Sequence, residues 1–188
     1  MKMIIRRNLS FFTLLLVGLC IQACDSRLPV QTTDNISVKD FSVSECGGFD
    51  SSTKRAASDI LFTRDASTYC DAERLHWLYD ENTHTLKVMN SRVLLNCCGE
   101  HEITAVNDNS IIVIKENDQP VNGKGRCRCM CVYDFFIEIS GISQGEITLK
   151  LDMTVDDATL NKWEGEIDFG KGNGVIVIDD EPLDYECP

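Results

Sequence analysis

The sequence predicts an all-β protein, an antiparallel sandwich of two sheets that is stapled by disulfide bonds. Three observations lead to this fold class. The apolar runs are short, rich in Val, Ile and Phe, and separated by Asn, Asp and Gly. Along the longest run, residues 127–140, buriable and mixed side chains alternate as they do on a strand with one buried face. Eight cysteines, an even number, lie beyond residue 24 of a chain that begins with an export signal, and exported domains use paired cysteines as bridges.

The export signal occupies residues 1–23. Three basic residues among the first seven precede an apolar run over residues 11–22, which is too short to be a permanent membrane helix. The run ends in Ile21-Gln22-Ala23-Cys24, which resembles a bacterial lipobox. The resemblance implies cleavage before Cys24 and attachment of lipid to its sulfur, and several acyl chains anchor a protein firmly. The alternative is an ordinary signal peptide whose Cys24 later joins a disulfide.

Charge and composition restrict the partners of the exported part. Residues 24–36 are polar and are predicted to be a lipidated, flexible tether, and residues 37–188 a single β-sandwich domain. The 188 residues include 18 basic and 30 acidic ones, and without the three basic residues of the signal the net charge is −15. Such acidity excludes a nucleic-acid binder as the default. We therefore expect a membrane partner through the lipid anchor, and an envelope protein or glycan as ligand.

The elements follow from the apolar runs and the turn residues between them. Two stretches favour short helices instead, at Ser51–Ser58 and Asp156–Lys162. Many short strands with turn signals between them are typical of an immunoglobulin-like sandwich. The predicted strands are Val38–Val43, Ile60–Thr63, Leu75–Tyr79, Thr85–Met89, Val93–Cys97, Ile103–Val106, Ile111–Lys115, Cys129–Ile139, Glu146–Asp152, Trp163–Asp168 and Val175–Asp179.

Eight of the ten cysteines remain once Cys20 in the signal and the lipidated Cys24 are set aside. Neighbours on one strand face lie ~6.6 Å apart and point in parallel, so the C-x-C-x-C cysteines cannot readily pair with one another. Each needs a partner elsewhere, and the Cys97-Cys98 pair is nearest in sequence. A bridge between Cys46 and Cys187 would join the two ends of the domain. The disulfide candidates are Cys46, Cys70, Cys97, Cys98, Cys127, Cys129, Cys131 and Cys187.

A thiolate metal site is the alternative use of these cysteines. Zinc takes four tetrahedral ligands, and the usual C-x2-C spacing is absent, so only a bulge or loop near residues 123–128 would bring the sulfurs together. Copper(I) is less demanding in its geometry. Thiol redox chemistry is a third use, which lacks a C-x-x-C motif. The candidate metal ligands are Cys97, Cys98, His101, Cys127, Cys129 and Cys131, and the disulfide interpretation predicts no cofactor.

One ordered set of residues resembles a protein group. Asn96-Cys97-Cys98, an Ile-rich strand, then Cys127-x-Cys129-x-Cys131-x-Tyr133-Asp134 and Gly141-Ile142-Ser143-Gln144-Gly145 are similar to a group of small uncharacterised bacterial envelope lipoproteins. The likeness covers about residues 75–152, and C-x-C-x-C-x-Y-D is its most specific part. It implies an exported β domain and brings no catalytic residue with it.

No catalytic constellation stands in its required context. Residues 141–145 match G-x-S-x-G, but a hydrolase elbow lies between a strand and a helix, whereas a strand-like alternation follows here. This predicts a glycine-flanked hairpin turn around Ser143. The sequence therefore predicts a lipid-anchored protein of the bacterial cell envelope, a non-enzymatic binding or interaction module. A zinc- or copper-binding envelope protein is the alternative.

Overall fold

The computed structural model describes residues 36–49, 72–121, 125–143 and 145–180, which all belong to one compact unit. These residues form nine strands and a short 3₁₀ turn, Phe169–Lys171. The predicted signal, the tether with Cys24, the helix at Ser51–Ser58 and the strand at Ile60–Thr63 lie outside the described residues. The strands are β1 (Ser37–Val43), β2 (Glu73–Asp80), β3 (Thr85–Asn96), β4 (Gly99–Asp108), β5 (Ile111–Pro120), β6 (Met130–Ser140), β7 (Glu146–Val155), β8 (Ala158–Asp168) and β9 (Asn173–Asp179).

The strands form two sheets, as the sequence predicts. One sheet has the order β1-β6-β3-β2-β9 and the other has the order β4-β5-β7-β8. Neighbours are antiparallel with one exception, the parallel pair β5–β7. The exception arises because β6 lies between these two strands in sequence and belongs to the opposite sheet, so the chain crosses over and returns. The immunoglobulin-like arrangement stays a prediction.

The core lies between the sheets and draws on both of them. Alternate residues of β6 face it, as the sequence predicts, and the residues of the other sheet that meet them come mainly from β5 and β7. A smaller apolar cluster covers the opposite face of the five-stranded sheet, where Met89 and Phe136 are buried against Phe49. Fully buried side chains of the main core include Leu75, Leu86, Val88, Ile114, Phe135, Ile137, Ile139, Ile142, Leu149 and Leu151.

A bulge joins two predicted strands into one. The sequence predicts separate strands at Thr85–Met89 and Val93–Cys97, whereas β3 runs through both. The pairing with β6 shifts register between Asn90 and Val93, and Arg92 has a left-handed φ of 69°. The Arg92 backbone N–H donates to the buried Asp134 carboxylate at 3.0 Å, which replaces the lost ladder bond.

The helix predicted at Asp156–Lys162 is wrong. Asp156 and Asp157 form a two-residue turn, and the residues after them begin β8, paired antiparallel with β7. Both turn residues have positive φ, 49° and 68°, which matches the right-handed twist of a tight hairpin. Aspartate tolerates this conformation, and its side chain also favours helix starts, so the local sequence alone did not separate the two outcomes.

The segment around Ser143 is not a hairpin turn. It connects β6 in one sheet to β7 in the other, so its flanking strands do not pair with each other. Gly141 has a φ of 85°, a conformation that favours glycine. A strand follows the segment, as the sequence predicts, and the helix that a hydrolase elbow requires does not.

Candidate functional site

Two neighbouring bridges tie the β3–β4 turn to the bend before β6. Cys97 is bonded to Cys129 and Cys98 to Cys127, with Cα–Cα distances of 5.6 and 5.7 Å. We call these the twin bridges. They join two cysteines of the C-x-C-x-C run to the Cys97-Cys98 pair, whereas the sequence left the connectivity open. The result is a cluster of four sulfurs at one end of the sandwich.

The strand does not extend back through all three cysteines. β6 begins at Met130, so Cys127 and Cys129 lie in a bend and their sulfurs approach to 3.3 Å. The predicted spacing of parallel strand side chains is therefore wrong for this pair. Cys131 lies on the strand, packs against the core and is bonded to Cys46. The predicted Cys46–Cys187 bridge is wrong for this reason, and Cys70 and Cys187 lie outside the described residues.

The side chain of Asn96 organises the bend. Its Nδ2 donates to the carbonyl oxygens of Cys127 at 2.8 Å and Cys129 at 3.1 Å. Its Oδ1 accepts the backbone N–H of Cys98 at 3.0 Å. One amide thus fixes both halves of the twin bridges. The only sequence signal of this role is that an asparagine stands directly before the cysteine pair.

Arg126 fastens the same bend to the body of the domain. Its Nη1 donates to Asp118 Oδ1 at 2.6 Å, and its Nη2 donates to Asp156 Oδ1 at 2.6 Å. Nη2 also donates to the Asp118 backbone oxygen at 2.8 Å. The hydrogen bonds to these two carboxylates, that to Asp156 foremost, raise the pKa of Arg126 above its ordinary value. Arg126 therefore stays positively charged, and its hydrogen bonds fix the position of the chain directly before Cys127.

His101 belongs to this charged cluster and not to the sulfur cluster. Its Nε2 lies 3.3 Å from Asp118 Oδ1, and its ring packs on Tyr133 with a centroid distance of 4.1 Å. Burial lowers the pKa of His101, the Asp118 carboxylate opposes that effect, and Arg126 adds to it. Among the described residues, the side chains close enough together to hold a metal are three cysteines, and His101 is not one of them. The prediction of His101 as a metal ligand is therefore not supported by its position.

Among the described residues, the ligand atoms that could surround an ion are the sulfurs of Cys98, Cys127 and Cys129. They lie within 4.8 Å of one another. Each of them is engaged in one of the twin bridges, and a disulfide sulfur is not the thiolate that zinc or copper(I) binds. This arrangement can bind a metal only after reduction. Cys131, the remaining candidate ligand, is bonded to Cys46.

A cleft of about 410 Å³ opens where β3 faces the hairpin of β7 and β8. Its size is within the range of small-ligand and peptide-side-chain pockets. Four charged side chains line it as well, with Lys162 Nζ 2.9 Å from Glu73 Oε2. Sequence reasoning missed the cleft, because its walls come from strands far apart in the chain. The apolar walls are Val93, Leu94, Leu95, Met153, Val155, Ala158 and Leu160.

A buried polar network adjoins the cleft. Asn90 Nδ2 donates to Glu73 Oε1 at 3.1 Å and to Glu116 Oε2 at 3.0 Å. Burial raises the pKa of Glu116 to about 8, and the Glu73 carboxylate contributes in the same direction. Asn90 and Lys162 oppose the shift without cancelling it. The network joins both sheets beside the cleft through one protonated carboxyl group.

Comparison with protein-family models, with curated proteins and with solved structures finds no match. In the part of the chain that the structure describes, no helix has the length and apolar character needed to cross a membrane.

Proposed function

We propose that this chain is a lipid-anchored protein of the bacterial cell envelope whose β domain is a non-enzymatic module that binds a segment of another envelope protein. The observation that carries the proposal is the open cleft beside the first residues of β8. The lipobox ending in Cys24 supports the anchor and the compartment. The disulfides support an oxidising location.

The position of β8 favours an extended peptide as the ligand. β8 is the last strand of the four-stranded sheet, so one side of its backbone faces away from that sheet. Its second half carries the exposed acids Glu164, Glu166 and Asp168, which discourage strand addition. Residues 158–161 are exposed and uncharged, and they border the cleft. A partner strand would add here, with its main chain on β8 and a side chain in the cleft.

The residues that line the cleft indicate which kind of side chain a bound peptide would place in it. Leu160 is 62% exposed and lines the cleft. With Val155 and Met153 it offers an apolar surface to an apolar partner side chain. The net charge of −15 beyond the signal attracts a basic partner and speeds its approach.

The binding proposal is tested with a photo-crosslinking amino acid placed at Leu160 in living cells. Val106 is the matched control, since it is an exposed valine on β4, outside the cleft lining. We expect one envelope protein to be captured from position 160 and not from 106, and its capture to disappear in a Val155→Asp variant. Equal capture from both positions, or capture of glycan alone, would refute the peptide proposal.

The anchor is tested separately with an alkyne fatty acid fed to cells that express the full chain. We expect label on the wild-type protein and none on Cys24→Ser, which should leave the membrane fraction. Label that persists in Cys24→Ser would place the lipid elsewhere or show that no lipobox is used.

Metal binding by the cysteines is a second candidate, favoured by the approach of three sulfurs within 4.8 Å. It requires the reduced protein. The test is metal analysis of protein purified from the envelope without reductant, followed by alkylation. Stoichiometric zinc or copper that is lost in Cys129→Ser would establish this role, whereas metal-free protein without alkylatable thiols would exclude it.

A further inference from the structure

We propose that the twin bridges form a thiol–disulfide exchange site whose substrate is a thiol of the envelope, either of a protein or of a small molecule. This activity goes beyond the binding role and does not depend on the cleft. The juxtaposition that carries it is the 3.3 Å approach of Cys127 Sγ to Cys129 Sγ, two sulfurs that belong to different bridges.

The short distance between the sulfurs of Cys127 and Cys129 favours transfer of a disulfide bond from one bridge to the other. A thiolate attacks a disulfide sulfur that it can reach, and the bond to the second sulfur breaks. Once Cys127 is released from Cys98, its thiolate already lies against Cys129. Groups held at such short range react as if at very high concentration. The bend makes this possible, because the same two residues on a continued strand would hold their sulfurs apart.

The exposure of the four cysteines determines which sulfur a substrate thiolate attacks first. Cys98 and Cys129 are exposed, whereas Cys97 and Cys127 are half-buried. An incoming thiolate therefore reaches Cys98 Sγ or Cys129 Sγ first. Arg128, exposed between Cys127 and Cys129, supplies a positive charge that stabilises an attacking or departing thiolate.

The exchange runs in balanced steps. A substrate thiolate attacks Cys98 Sγ, forms a mixed disulfide and releases Cys127 as thiolate. Cys127 attacks Cys129 Sγ, forms a Cys127–Cys129 bond and releases Cys97 as thiolate. A second substrate thiolate then attacks the mixed disulfide, so the two substrate thiols leave as one disulfide and Cys98 leaves as thiolate. Two electrons have passed from substrate to protein, and the released thiolates take protons from solvent.

Asn96 has a positioning role in this sequence. Cys127 Sγ lies 3.2 Å from Asn96 Oδ1, so the amide lies directly against this sulfur. The same side chain holds the carbonyls of both bend cysteines and the amide of Cys98. The geometry of the four sulfurs thus survives the opening of one bridge.

The third described bridge is the internal comparison. Cys46 is exposed, so the Cys46–Cys131 bond is also open to attack. Neither of its cysteines is among the three sulfurs that lie within 4.8 Å of one another. Its reduction is an ordinary exchange that ends at Cys131, without transfer to a second bond.

The experiment uses the full lipid-anchored protein in mild detergent, with reduced glutathione as the probe. Samples are quenched with an alkylating agent over time, and bridges and alkylated cysteines are mapped by mass spectrometry. We expect alkylation at Cys97 and a new Cys127–Cys129 bridge, with the twin bridges reacting about ten-fold faster than Cys46–Cys131 because of the relay.

Two paired variants separate the relay from simple exposure. Cys98→Ser with Cys127→Ser keeps one twin bridge and removes the relay, so oxidation of glutathione should slow about ten-fold. Cys46→Ser with Cys131→Ser should leave the rate unchanged. Arg128→Glu, which alters no bridge, should slow the reaction with the anionic probe about three- to ten-fold.

The proposal is overturned if Cys97 stays unalkylated while Cys98 is modified, since the transfer to Cys129 would then not occur. Equal rates for all three described bridges would also overturn it. So would a metal-bound protein with free thiols before glutathione is added, because the twin bridges would then not be the native state.

Discussion

Asn90 donates a hydrogen bond of 3.0 Å to Glu116, a glutamate with 0% of its surface exposed in the middle of a β-sandwich. Within the described residues, Glu116 Oε1 and Asn90 Oδ1 have no hydrogen-bond partner. An ionised carboxylate in such surroundings would be costly, so Glu116 keeps its proton at neutral pH and its pKa rises to about 8. This acid is a source of pH-dependent stability.

Glu116→Gln should remove a pH dependence between about pH 4.5 and 8. Because the folded pKa is raised, the folded protein holds a proton that the unfolded chain releases, so the unfolding free energy falls as pH rises through this window. The slope is at most about 1.4 kcal/mol per pH unit. Denaturant titrations at pH 5 and pH 8 measure it. Glu166→Gln, at an exposed position on β8, is the control. Parallel curves for Glu116→Gln and wild type would contradict the prediction.

His76 should act in the opposite direction. Burial and the nearby Arg74 lower the pKa of His76 to about 4, and its Nε2 lies 3.2 Å from Ser91 Oγ. The folded state therefore keeps a neutral ring, and its stability is lost as pH falls from about 6.5 to 4. His76→Asn should flatten unfolding free energy against pH in that window. His84→Asn, at the exposed hairpin turn, is the control. An unaltered slope in His76→Asn would assign the acid sensitivity to other groups.

Gly99→Ala should destabilise the charged cluster next to the twin bridges. An added Cβ would overlap Asp118 Oδ1 and lie 2.9 Å from both Arg126 Nη1 and His101 Nε2. Moving a buried, hydrogen-bonded carboxylate costs about 1–3 kcal/mol, as in other overpacked sites. Gly125→Ala is the matched control, since its Cβ would meet nothing within 4 Å. Thermal unfolding of both variants measures the difference. Equal melting temperatures would show that the charged side chains move aside without a loss of stability.

Loss of one twin bridge should cost far less stability than loss of Cys46–Cys131. The twin bridges span 32 and 29 residues of nearly the same loop, so either one still restrains the unfolded chain. Cys46–Cys131 spans 85 residues, and its removal should cost about 4 kcal/mol by loop entropy. Removal of Cys98 and Cys127 together should cost about 1 kcal/mol or less. Urea unfolding of the two Ala-for-Cys pairs tests the ranking, and a reversed order would contradict it.

Much of the fold followed from local pattern. The alternation in residues 131–139 predicted that Tyr133, Phe135, Ile137 and Ile139 face the core, which is confirmed. The even cysteine count predicted bridges, and three lie among the described residues. Phe136 on the opposite face was not assigned to a core, because a second apolar cluster depends on Met89 of a neighbouring strand. Asp156 and Asp157 were misassigned because acids start helices and also occupy tight turns.

The sequence by itself determined the strand periodicity and the expectation of disulfide bonds, and it left open which cysteines pair. These features depend on residues close in the chain or on a single repeating pattern. Only the tertiary structure decided that β6 begins after Cys129, that Cys127 and Cys129 meet, and that β3 faces the β7–β8 hairpin across a cleft. The physical reason is that register shifts, crossovers and contacts between distant strands are fixed by the packing of the whole core, which no local stretch of sequence encodes.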